Sequence, residues 1–177
     1  MLLSSVIALF ATIACAGDAT TDFLKDPTQD RLASLRTSCK AQELNTANAY
    51  GRLHDFVKDG STLSVRALIS LHEYCPTPEF SADLIGVLGR DLWLAQPAHL
   101  VEALAAEKAS GSLIEKIARS RGIPEDAQGT TNPQAFYQSK AQALAPLQLK
   151  GAEEKIRLRM LRWIELAGKA AVKKPEK

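Results

Sequence analysis

His72, Glu73, Tyr74 and Cys75 run consecutively, and on a helix His72 and Cys75 lie three residues apart on a shared face. With Cys39 they form the most suggestive set of soft donors in the chain, able to ligate zinc or to pair a thiol with an imidazole. A simpler arrangement competes with that chemistry. A Cys39–Cys75 disulfide removes both thiols, and His72 then becomes a half-buried core histidine on the stripe of Val65, Leu68 and Ile69. The disulfide is the preferred reading, because cysteine pairs in exported chains usually oxidise. No metal and no cofactor is therefore expected. His54 and His99 stand alone and are read as surface or packing residues.

Carboxylates offer a second place for chemistry. Asp83 and Asp91 lie eight residues apart in an apolar segment, so a helix would bring them to one face as a carboxylate pair. Arg90 beside Asp91 points instead to a structural ion pair. The chain contains no H-E-x-x-H, no phosphate-binding Walker loop, no G-x-S-x-G, no S-x-x-K and no C-x-x-C. Catalytic residues are thus unknown from the sequence.

The clearest surface feature is a basic C-terminal stretch. Residues 150–177 hold nine basic and four acidic side chains, while the whole chain nets only +2. On a helical wheel Lys155, Arg159, Arg162, Lys169 and Lys173 fall within roughly 80° of arc. Ile156, Met160, Trp163, Ile164 and Ala167 occupy the neighbouring sector. Such a helix would dock its apolar side and turn the basic stripe toward solvent, a protein partner or an anionic membrane surface. The small net charge excludes nucleic acid as the expected partner.

The elements that must position these residues begin after a leader. Residues 1–16 carry no charged side chain and end in Ala14-Cys15-Ala16, which reads as a signal peptide with small residues around the cleavage point. The apolar run is too short to span a bilayer, which takes about 20 residues. The expected mature protein begins at Gly17 in the periplasm or outside the cell. The alternative is a lipoprotein acylated on Cys15, although Thr12-Ile13-Ala14 lacks the leucine usual three residues before a lipidated cysteine.

Past the leader, helix punctuation recurs. Asp26-Pro27, Thr77-Pro78 and Asn132-Pro133 each put a capping side chain before a proline, and Asp26 with Gln29 and Ser112 with Glu115 have capping-box spacing. Gly60, Gly111 and Gly122 mark expected stops. The pattern predicts helices near 27–40, 43–58, 64–75, 78–94, 97–108, 113–121, 133–145 and 151–171, with no strands. The segment 80–94 is apolar nearly all round and is predicted to be central. Gly86 and Gly89 inside it imply close approach of a neighbouring helix.

These observations predict an all-α chain with one disulfide, an antiparallel bundle or a short HEAT/armadillo-like stack of 7–8 helices. Its expected parts are an exposed segment 17–26, a single helical domain 27–171 with a loop at 122–132, and a basic tail 172–177. The expected function is an exported, non-catalytic interaction module with a protein partner at the cell envelope. Two alternatives remain open: an envelope enzyme with dispersed catalytic residues, and an inhibitor or immunity-type protein.

Overall fold

Apolar stripes at helical spacing must be covered, and helices joined by short connections cover one another as antiparallel neighbours. The computed structural model describes residues 18–41, 46–57, 61–75, 78–120 and 133–172. Its helices are α1 (Ala19–Lys25), α2 (Gln29–Lys40), α3 (Thr46–Val57), α4 (Thr62–Tyr74), α5 (Pro78–Gly86), α6 (Trp93–Ala95), α7 (Pro97–Ala106), α8 (Gly111–Arg119), α9 (Pro133–Leu144) and α10 (Gly151–Val172). A π-helical stretch, Val87–Leu92, joins α5 to α6. No strand occurs among the described residues. The leader with Cys15, the loop near 122–132, Gly60, Gly122 and Lys173 lie outside the described residues.

The predicted helices from α2 onward appear within a few residues of their expected places. The arrangement is an all-helical bundle. α4 packs against α2, α3, α5 and α7, while the long α10 crosses α7, α8 and α9. A solenoid would let each hairpin touch only its neighbours, so the crossing by α10 separates this fold from a HEAT-like stack.

Several local expectations are corrected. Residues 18–26 of the expected exposed lead-in form a packed helix instead: Asp18 caps α1 by accepting from the Thr20 N–H, and Phe23 is fully buried. Arg52 then holds Asp18 at 3.0 Å, and Arg31 donates to the Asp22 carbonyl at 2.6 Å. Asp26 ends α1 instead of capping α2: its N–H bonds the Asp22 carbonyl, and its carboxylate turns to Arg31 at 3.4 Å. Thr28 takes over as the N-cap of α2, accepting from the Arg31 N–H. Likewise Ser110, not Ser112, caps α8, and Gly111 opens that helix where a stop was expected.

The stop before α8 is made by a lysine. Lys108 has φ +51°, its N–H bonds the Ala105 carbonyl, and the Ala109 N–H bonds the Leu104 carbonyl at 3.0 Å. This is a Schellman ending with Lys108 at the left-handed position usually given to glycine. It leaves Glu107 facing inward. Glu107 is buried and receives Arg66 Nε at 2.6 Å, Ser70 Oγ at 2.9 Å and the Arg36 guanidinium. Three helices, α2, α4 and α7, are thereby tied through one carboxylate.

The most enclosed helix is α4, whose residues Ser64, Val65 and Ala67 through Leu71 are buried. The segment 80–94 was expected to be central, yet it shows Ala82, Asp83 and Leu94 to solvent. Among its described side chains Leu84, Leu88, Leu92 and Trp93 are buried.

Candidate functional site

Cys39 lies in the last turn of α2 and Cys75 is the C-cap of α4, and they form a disulfide with Cα atoms 5.3 Å apart, within the usual range. Both thiols are thus consumed. His72 lies half-buried in the last turn of α4; its Nε2 is 3.1 Å from Ser81 Oγ, and burial lowers its pKa. The zinc or thiol–imidazole arrangement is not assembled, since its sulfurs are bonded to each other. Among the described residues no group of three His, Cys, Asp or Glu side chains converges on one point.

Asp83 is exposed, and the Asp91 side chain lies outside the described residues. Half-burial and the neighbouring Asp83 charge push the Tyr50 phenol up to about 12. Gly89 meets the close approach expected of it. A Cβ there would stand 2.8 Å from the Ile117 carbonyl oxygen and 2.8 Å from Ser120 Cβ, so the π-helical stretch presses bare backbone onto the end of α8.

That same end of α8 receives a side chain the sequence reading did not single out. Lys140 of α9 is 0% exposed, and its Nζ donates to the carbonyls of Ile117 at 3.0 Å, Ala118 at 3.3 Å and Ser120 at 2.6 Å. Three acceptors match the three N–H bonds of an ammonium, placed where a helix carries its negative end. Trp93 and Phe136 complete the enclosure, with ring centroids 4.5 and 5.1 Å from Nζ. Burial draws the amine down from 10.5 to about 7. With no exposed surface, the amine acts on the fold, locking α9 to the end of α8. A signal existed: Lys140 occupies the apolar stripe between Tyr137 and Leu144 at core spacing.

The neighbouring face of α9 borders α10 across a groove of ≈ 290 Å³. Tyr137, Ala141, Leu161, Ile164 and Gly168 form its floor and walls, and Gln134, Gln138, Glu165 and Lys169 form its rim. Gly168 keeps the wall low, for a Cβ there would meet Tyr137 Cβ at 3.6 Å, an ordinary contact. The groove therefore combines apolar depth with amide and charged edges.

On α10 the expected division into two sectors is present. Met160, Ile164 and Ala167 are buried, while Ile156 and Trp163 are only half-buried. Lys155, Arg159, Arg162 and Lys169 are exposed. Lys169 pairs with Glu165 at 2.5 Å, which lowers the pKa of that carboxylate. Arg157, outside the predicted stripe, is held by Glu154 at 2.7 Å. No helix among the described residues is long and apolar enough to cross a membrane. Set against models of protein families, curated proteins and solved structures, the chain matches none.

Proposed function

We infer that the chain is an exported, non-catalytic helical module that holds a protein partner at the cell envelope, using the groove between α9 and α10. The groove is the observation that carries this reading. It offers an apolar trough between two antiparallel helices, bordered by side chains that both donate and accept hydrogen bonds, a form suited to the apolar stripe of a partner helix. The disulfide supports export, since such bonds persist in oxidising compartments. The rigid lock at Lys140 supports a binding role as well, because a groove wall that does not move costs less to occupy.

Site-specific photocrosslinking tests the reading in the cells that make the protein. A photoreactive residue at Gln138, on the rim, should give a discrete adduct with one envelope protein, and the same residue at exposed Ser34 on α2 should not. Identical adducts from both positions, or none from Gln138, would contradict a dedicated groove.

A further inference from the structure

Leu158 is 53% exposed and Leu166 46% exposed, and both belong to the solvent side of α10. They stand eight residues apart, about 12 Å along the axis, with Lys155, Arg159 and Arg162 between and beside them. Among the described residues these three cations have no carboxylate at ion-pair distance, whereas Arg157 and Lys169 on the same helix each have one. Arg159 Nη1 lies beside Gly111 at the N-terminus of α8, an end that already carries positive partial charge.

We propose that this ridge of two leucines interleaved with three cations, none of them in an ion pair among the described residues, binds an anionic lipid surface. The shape favours lipid over an acidic polypeptide. The ridge is convex and follows a single helix, so it offers no trough for a second helix to enter, while a bilayer interface accepts apolar side chains lying along its plane and places anionic headgroups beside the flanking cations. The ridge adjoins the groove along α10, where the rim residue Lys169 shares the arc of Arg162. None of Lys155, Leu158, Arg159, Arg162 and Leu166 lines the groove, so the two surfaces can be tested separately.

The test uses the full disulfide-bonded chain in a vesicle flotation assay. Vesicles of phosphatidylcholine with about one-third phosphatidylglycerol should float the protein at low salt, and pure phosphatidylcholine should not. Raising salt from about 0.01 M to 1 M shortens the screening length from about 30 Å to about 3 Å and should release it. The Lys155→Gln, Arg159→Gln, Arg162→Gln triple variant should bind about a hundredfold more weakly, given the usual contribution of each cation near an anionic surface. The Leu158→Ser, Leu166→Ser double variant should lose about tenfold, since two half-exposed leucines no longer enter the interface. All five positions are solvent-facing, so both variants should keep wild-type helicity. Failure of the wild type to float with anionic vesicles at low salt overturns the proposal, as does equal flotation with neutral ones. Binding to polyglutamate as tight as to vesicles, with no effect of the leucine changes, also overturns it and assigns the ridge to an acidic polypeptide.

Discussion

Lys140 and Trp93 hold each other by two separate contacts. The Lys140 ammonium stands 4.5 Å from the centroid of the Trp93 ring, and the Trp93 indole N–H donates to the Lys140 main-chain carbonyl at 3.1 Å. A large aromatic and an amine are buried together with their polar atoms met, which reduces the cost of enclosing them, although burial still draws the amine's pKa down.

The lock should carry a pH signature. Burial sets the folded amine at about 7, below 10.5 for the unfolded chain, so between those values the unfolded chain binds the extra proton. Stability should rise with pH across that window, by at most about 1.4 kcal/mol per pH unit. Replacing Lys140 with Met keeps an unbranched apolar stem and removes the titration. Thermal melts of both proteins from pH 7 to 10 should show the wild type gaining on the variant as pH rises. A constant difference would show that the enclosed amine keeps its ordinary pKa.

Lys108 sits in the left-handed region with a side chain that disfavours it. Lys108→Gly should therefore stabilise the protein by about 1 kcal/mol, read as a higher urea midpoint at unchanged slope. Destabilisation would mean that the lysine side chain makes a contact worth more than the backbone strain.

Glu107 neutralises Arg36 and Arg66 on two other helices. Glu107→Ala would strand both guanidinium groups against the core and should cost about 3 kcal/mol, the low end for a broken buried pair because the arginines keep some solvent. A loss below about 1 kcal/mol by urea unfolding would show that water replaces the carboxylate at little cost.

Helix positions were legible because proline, glycine and apolar spacing act locally. Choosing among competing caps was not. Asp26 and Thr28 can each begin a helix, and Thr28 does so only because α1 forms and claims Asp26 for its own end. α1 itself depends on Phe23 finding α2 and α3, a tertiary contact that seven residues cannot announce. The disulfide followed from cysteine parity, and the two sectors of α10 followed from its wheel. Lys140 escaped notice because a lone lysine reads as surface until its acceptors, three carbonyls from another helix, are in place. The groove was likewise beyond reach, since it exists only between α9 and α10 once both are packed.

The leader and cysteine readings make one joint prediction. Intact mass of exported protein should correspond to residues 17–177 with two hydrogens missing for the Cys39–Cys75 bond, and unreduced tryptic peptides should contain the linked pair. A retained Met1, a lipid on Cys15 or two free thiols would each contradict part of it. Removing the bond by Cys39→Ala with Cys75→Ala should cost up to about 4 kcal/mol, from the 36-residue separation and the chain-entropy model.

Gly168 gives the most direct access to the groove. Gly168→Leu adds a side chain at the groove wall while improving helix propensity, so the melting temperature should stay level or rise. Affinity for the partner crosslinked through Gln138, measured by calorimetry with both purified proteins, should fall at least about tenfold, a change of about 1.4 kcal/mol. Unchanged affinity in a fully folded Gly168→Leu protein would contradict binding through this groove.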